Sequence, residues 1–261
     1  MDCAQFHHFT QTLEQTLQAD ARVLALVAIG SLAQPTRIDQ WSDHDFWVIT
    51  TTAAQADFLA DLSWLPDPAA IVLTLRPAQS YYTVLYTSGH MAEFAVFGPQ
   101  DLDRGRLTHY RMLFDKAKIT PQIAALATAV QQDQQRSYDA SSTFAHFLIT
   151  LCTGSAHAMR GEGLSAHTYI FQYALDALLK LIVHSIPPEQ TDLADPFNPR
   201  RRFEQLYPTL STTLALWLNL PPAVAAGHML DLAERLWPDG TLPLQALRAT
   251  RAYLQTLGGA K

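Results

Sequence analysis

The segment with the clearest chemistry runs from Gly30 to Asp45. Gly30-Ser31 closes one apolar run, and Ser42-Asp43-His44-Asp45 leads into another. Asp43 and Asp45 are two residues apart at the entry to a strand-like stretch. A period of two predicts both carboxylates on one face, with His44, Phe46 and Val48 on the other. Two neighbouring carboxylates repel unless they are solvated, protonated or neutralised by a cation. Hard oxygen ligands select Mg²⁺ or Mn²⁺. Glu93 sits in the run Met91-Ala92-Glu93-Phe94-Ala95-Val96-Phe97, where an acid among apolar neighbours calls for a role. A third metal ligand or a general base is one role, and an exposed acid on an edge strand is the alternative. Gly30 lets the backbone turn tightly and approach a ligand, and Ser31 offers an N–H and a hydroxyl to a phosphate oxygen. A phosphate cradle beside a divalent-metal site is what phosphoryl or nucleotidyl transfer requires.

These residues resemble a family signature. Gly30-Ser31, a loop, then Ser42-Asp43-His44-Asp45 followed by hydrophobic residues is similar to the signature of the DNA polymerase beta superfamily of nucleotidyltransferases. Within it, a minimal catalytic domain followed by a helical one resembles the members that modify aminoglycosides or lincosamides. The resemblance implies an α+β fold, a mixed sheet with flanking helices, followed by an all-helical domain. It implies two Mg²⁺ ions on Asp43 and Asp45, with Glu93 as the third acid and, in some members, the base for the acceptor hydroxyl. Gly30 and Ser31 would hold the triphosphate of ATP or another nucleotide. The chain departs from the pattern where many members carry Ala-Arg-Gly. Leu32-Ala33-Gln34-Pro35 stands there instead, and Arg37 is the candidate to take the arginine's phosphate role from a shifted position.

The elements that must position these groups are legible as hydrophobic periods. Phe6, Phe9, Leu13 and Leu17 fall at helical spacing and predict an amphipathic helix over Cys3–Asp20. Val23–Ile29 reads as a buried strand and Asp45–Thr50 as a second. A loop with a short helical turn lies between them. Ala53–Leu62 reads as a short helix. Ile71–Leu75, Tyr81–Tyr86, Met91–Phe97 and Arg111–Asp115 read as strands, and Ser88-Gly89 as a tight turn. After Lys118 the texture turns helical, which predicts a catalytic domain over 1–118 and a helical substrate-binding domain over 119–261. Pro121 opens that half. Gly161-Glu162-Gly163 breaks it, and Ser165 is read as the cap of a helix through Ile182 that stops near Pro187-Pro188. Asn198-Pro199 reads as the opening of a short helix through Phe203 and Leu206. Pro221-Pro222 and the stretch from Pro238 to Pro243 punctuate the rest.

Several residues carry a second reading. Lys180 lies in an apolar run and is a candidate triphosphate contact, or a lysine that snorkels to solvent. Arg200-Arg201-Arg202 is either a phosphate contact or a solvated helix start. Glu162, beside Arg160 at the glycine break, is a reserve candidate for the base. His44 is read as structural or as a near-surface spacer. Trp41, Trp47 and Trp64 are read as packing residues.

Composition bounds the partners. The chain has 261 residues, 48% hydrophobic and 16% charged, with a formal net charge of -6. That balance describes a globular protein and does not favour long DNA or RNA, whose binding needs a basic face. Cys3 and Cys152 make neither a disulfide framework nor a zinc cluster. No apolar run approaches the roughly 20 residues that span a bilayer, and the N-terminus lacks the basic start and apolar core of a signal peptide. The expectation is a cytoplasmic protein with no membrane partner. The expected reaction moves AMP from ATP to a hydroxyl of a small molecule. Modification of a protein side chain and a non-catalytic nucleotide-binding module are the alternatives.

Overall fold

A computed structural model describes residues 1–189, 195, 197–237 and 243–258, with residues 134 and 135 described by their backbone alone. The chain divides into two compact units, Met1–Asp133 and Gln134–Lys261.

The first unit is built on a six-stranded mixed sheet. Its strands are β1 (Val23–Ile29), β2 (His44–Thr50), β3 (Ile71–Ala78), β4 (Tyr81–Tyr86), β5 (Met91–Phe97) and β6 (Tyr110–Asp115), in the order β3-β4-β5-β2-β1-β6. Only the β2–β5 pair is parallel. All six strands fall where the apolar runs predict them. β2 starts one residue earlier than expected, β6 likewise, and β3 extends further.

Alternation along each strand separates two apolar layers. On one face, α1 (Cys3–Ala19) and α2 (Gln55–Ala60) cover the sheet. Phe6, Phe9, Leu13 and Leu17 pack there with Leu26, Phe46, Val48 and Phe94. Asp2 caps α1 by accepting from Gln5 N, and the Gln5 side chain returns a bond to Asp2 N, a reciprocal capping box. On the other face Ala25, Val27, Trp47, Ile49, Ala95 and Phe97 pack with Leu107, Ile119, Ile123 and Ala127. Each large side chain so buried contributes about 1.5–3 kcal/mol. Ile123 and Ala127 belong to α3 (Thr120–Ser137). Because α3 lays that apolar stripe on the sheet, the division between units falls at Asp133, within the helix, and not at the change of texture near Lys118.

The second unit is helical. Its core draws on α4 (Ala140–Met159), α6 (Leu175–Ser185), α7 (Phe203–Leu206), α8 (Pro208–Trp217), α9 (Pro222–Leu236) and α10 (Leu244–Gly258). Two expectations are corrected here. Ser165 is not a cap: the helix starts at Gly163 as α5 (Gly163–His167) and continues through a π-helical stretch, Thr168–Ala174, into α6. Asn198 does not open a helix either. Its side chain accepts from Arg200 N in a turn, and α7 begins at Phe203 after Arg202 in a left-handed conformation (φ 62°). The stretch from Pro238 lies outside the described residues up to Pro243. No helix of the described residues is long and apolar enough to cross a membrane.

Candidate active site

The two halves of the Gly-Ser and Asp-x-Asp pattern meet. Gly30 follows β1 with φ +56°, a left-handed conformation that glycine adopts without strain. A Cβ placed there would lie 2.1 Å from Asp45 Oδ2 and 3.0 Å from its Cγ. A side chain there would require the Asp45 carboxylate to shift, and in this structure that carboxylate rests against the bare Cα of Gly30. Ser31 Oγ reaches the Asp43 carbonyl at 3.5 Å, tying the turn to the start of β2 from a second point. The intervening loop closes on itself: the Asp39 carboxylate accepts from Trp41 N at 2.9 Å and from Ser42 Oγ at 3.0 Å.

Asp45 and Glu93 are partners in the parallel β2–β5 register and therefore share a face, on which Glu93 is exposed and Asp45 half-buried. Thr83, opposite Glu93 on β4, donates to Glu93 Oε1 at 3.4 Å. β5 lies inside the sheet, so Glu93 is not an edge-strand acid. Asp43 differs from the expectation of two carboxylates on one face of a strand. β2 begins at His44, and Asp43 lies just ahead of it. Among the described residues, no group of three or more His, Cys, Asp or Glu is gathered closely enough to hold a metal ion.

His44 is buried completely, where a near-surface position was the alternative. It stacks on Phe6 with ring centroids 3.8 Å apart. Its Nε2 lies 2.9 Å from Thr10 Oγ1, and its Nδ1 2.8 Å from His90 Nε2. Burial, aided by His90, pushes the His44 pKa down to about 3, so the ring is neutral. Burial also lowers His90, an effect that the Asp43 charge opposes. Sequence reading missed this pair. The in–out alternation puts His44 on the covered face, but joining it to His90 requires the parallel register of β2 with β5.

Arg37 ends a short 3₁₀ turn, Pro35–Arg37, and its guanidinium donates to the Gln34 side chain. An arginine that sequence reading passed over stands nearer the turn. Arg111, on β6, donates from Nη2 to the Leu32 carbonyl at 3.0 Å and braces the loop just after Ser31.

Lys180 belongs to the second unit. It is exposed at the wall of a cavity of about 580 Å³ shared with His167, Phe171, Asp176, Asn198 and Arg200. Arg200 is not a solvated helix start. It pairs with Asp176 and donates to the carbonyls of Phe171 (2.6 Å) and Gln172 (3.0 Å) in the π-helical stretch. Arg201 and Arg202 pair with Asp195. Glu162 pairs with His157, also in the second unit. Trp47 and Trp64 pack as expected, whereas Trp41 is 83% exposed on the loop before β2.

No protein-family model matches the chain, and no curated protein matches it in sequence. The chain is similar in structure to an aminoglycoside 6-adenyltransferase from Bacillus subtilis, with 10% identity, 95% of this chain and 94% of that one covered, and a TM-score of 0.33. It is similar to a nucleotidyltransferase-like protein from Exiguobacterium sibiricum 255-15, with 16% identity, 96% and 75% covered, and a TM-score of 0.34. It is likewise similar to a chain of the E. coli MS115-1 CdnC:HORMA-deltaN complex, with 17% identity, 98% and 91% covered, and a TM-score of 0.32.

Proposed function

We propose that the first unit transfers a nucleoside monophosphate, AMP from ATP, to a hydroxyl of a small molecule such as an aminoglycoside-like antibiotic, releasing pyrophosphate. The observation that carries this reading is the contact between the Gly30 turn and the Asp45 carboxylate, with Glu93 in register beside it. A backbone turn suited to phosphate and a carboxylate suited to a hard cation are then one surface, not two.

The donor set of Asp43, Asp45 and Glu93 is all carboxylate and fits Mg²⁺, for which they are the proposed ligands. Bound there, the cation would offset charge on the α-phosphate and on the leaving pyrophosphate. The chain's own groups do the rest. The Gly30-Ser31 turn seats the triphosphate through backbone N–H groups and the Ser31 hydroxyl, and Arg111 holds that turn in place. Glu93, steadied by Thr83, accepts the proton of the acceptor hydroxyl. The hydroxyl oxygen bonds to the α-phosphorus as the bond to pyrophosphate breaks.

The test is pyrophosphate release by purified protein with Mg²⁺, ATP or another nucleotide, and a panel of aminoglycosides and lincosamides. Release that depends on one acceptor supports the reading, and no release with any pair defeats it. A second reading, a nucleotide-binding module without catalysis, is favoured by one observation: the three acids are not gathered into a ligand cluster. Calorimetry separates the two. On this second reading, ATP binds equally well to the Asp43→Asn, Asp45→Asn variant without Mg²⁺.

A further inference from the structure

The outermost strand of the first unit is open on one side. β3 ends the sheet order and pairs only with β4. From Val72 to Ala78 every residue is exposed. Three of them are large and apolar: Val72, Leu73 and Leu75 are 58%, 59% and 58% exposed. Proteins ordinarily blunt such an edge with charge, shortness or a covering element. β3 is eight residues long, its one charge is Arg76, and the described residues leave it uncovered.

Hydrogen bonds fix the direction of its main-chain groups. Thr87 N donates to the Ala70 carbonyl at 2.8 Å, toward β3, whereas Tyr86 N donates to the His90 carbonyl at 2.9 Å, toward β5. The direction alternates along β4, so Leu85 and Thr83 turn their groups to β3, where their partners are Leu73 and Leu75. Thr74 lies between those two and therefore points its N–H and C=O off the open edge. Val72 and Arg76 repeat that direction along the extended chain. Pro77 has no N–H to offer, so it ends the edge.

We propose that this edge pairs with the same strand of a second copy, antiparallel and centred on Thr74, to form a two-fold dimer. In that register Thr74 exchanges two main-chain bonds with its own mate, and Val72 exchanges two with the second copy's Arg76. All three outward residues are then satisfied. Leu73 stands opposite the second copy's Leu75, in the type of pair that brings side chains closest. The two Arg76 side chains fall about 13 Å apart along the strands, so the like charges do not clash. Other centres fit less well. Centring on Leu73 sets Arg76 against Ala70, and centring on Leu75 sets Val72 against Ala78, residues whose groups face β4. Leu73 and Leu75 share the Glu93 face through Leu85 and Thr83, so the two-fold puts both Glu93 faces on one side of a continuous sheet. The paired length of about 17 Å falls short of a standard interface of about 800 Å² per partner, which makes the dimer weak and reversible. The pairing is independent of the reaction proposed above.

Sedimentation equilibrium of the full chain from about 1 to 500 µM should show monomer and dimer in exchange, with a Kd of about 10–100 µM. Leu73→Lys, at an exposed position, should keep the melting temperature and weaken the dimer at least about tenfold. Thr74→Pro removes an outward N–H that the monomer does not use and should act likewise. Oxidation in a Cys3→Ser background reads the register. Thr74→Cys faces its mate at about 5.5 Å between Cα atoms, within disulfide reach, and should cross-link. Val72→Cys lies about 13 Å from its mate along the strands and should not. A chain monomeric at every concentration, its edge left to a strand of some other protein, overturns the proposal. So does unchanged dimerisation in either variant, or cross-linking of Val72→Cys as fast as Thr74→Cys.

Discussion

On one face of β2, Asp45 stands half-exposed beside Glu93. One residue earlier and on the other face, His44 is buried completely and bonded to His90. The same two strands therefore hold ionic groups open to solvent on one side and neutral imidazoles in an apolar layer on the other. The difference follows from where helices lie. α1 lays Phe6 and Phe9 over His44, and the resulting desolvation keeps the ring uncharged. At the Asp45 and Glu93 positions the other layer of packing, centred on Trp47 and Ile49, has ended. Charge survives at the rim of a sheet face and is excluded from beneath a helix.

The largest effect should come from the open face. Asp45→Asn should lower acceptor-dependent pyrophosphate release by at least about 10³-fold, the loss of several kcal/mol of electrostatic stabilisation. Retained turnover would remove Asp45 from the chemistry. Glycines at two turns sharpen the same point. Gly89→Ala meets no atom within 4 Å and strains only a left-handed residue (φ +81°), costing about 1–2 kcal/mol. Gly30→Ala carries the same strain plus the collision with Asp45, so it should destabilise more and also abolish release. Equal costs at the two sites, read by urea unfolding, would mean that the Gly30–Asp45 contact is incidental.

The covered face should show itself through pH. The His44 pKa is about 3 in the folded protein and near 6.5 when unfolded. Between those values the unfolded chain binds a proton that the folded one refuses. Stability is therefore fully present above about pH 6.5 and falls as pH drops toward 3, by up to about 1.4 kcal/mol per pH unit. His44→Leu keeps an apolar group under α1 and should flatten that slope while leaving the carboxylates of the other face in place. A slope unchanged in His44→Leu, measured by urea unfolding from pH 7 to 4.5, would place the pH dependence elsewhere.

The comparison also explains what sequence reading could reach. The α1 stripe of Phe6, Phe9, Leu13 and Leu17, and the bounds of β1, β4 and β5, are local patterns, and period alone reveals them. The contact of Gly30 with Asp45 was reachable because both sit at the ends of strands that pair. The His44–His90 bond and the shared face of Asp45 and Glu93 depend on the parallel β2–β5 register, which no local pattern specifies. The π-helical stretch in the second unit was invisible for another reason. Arg200, from a later turn, bonds to two of its carbonyls, and no local period in Thr168–Ala174 marks the stretch.

Arg111 tests the link between the two faces with the smallest effect. Its guanidinium reaches the Leu32 carbonyl, just past the end of β1, while its Nε, buried, has no partner among the described residues. Replacing it by Met removes one charge-assisted bond and one unsatisfied donor together, and these nearly cancel in stability. The net change should lie within about 1 kcal/mol. The turn after Ser31 loses its brace, however, so the KM for nucleotide should rise about three- to tenfold with kcat little changed, the pattern of lost ground-state binding. Arg111→Lys offers one donor without the planar fork and should recover only part of that loss. A fall in kcat with KM unchanged would instead mean that Arg111 acts on the charge developing in the reaction, which would place it functionally on the Asp45 side of the sheet.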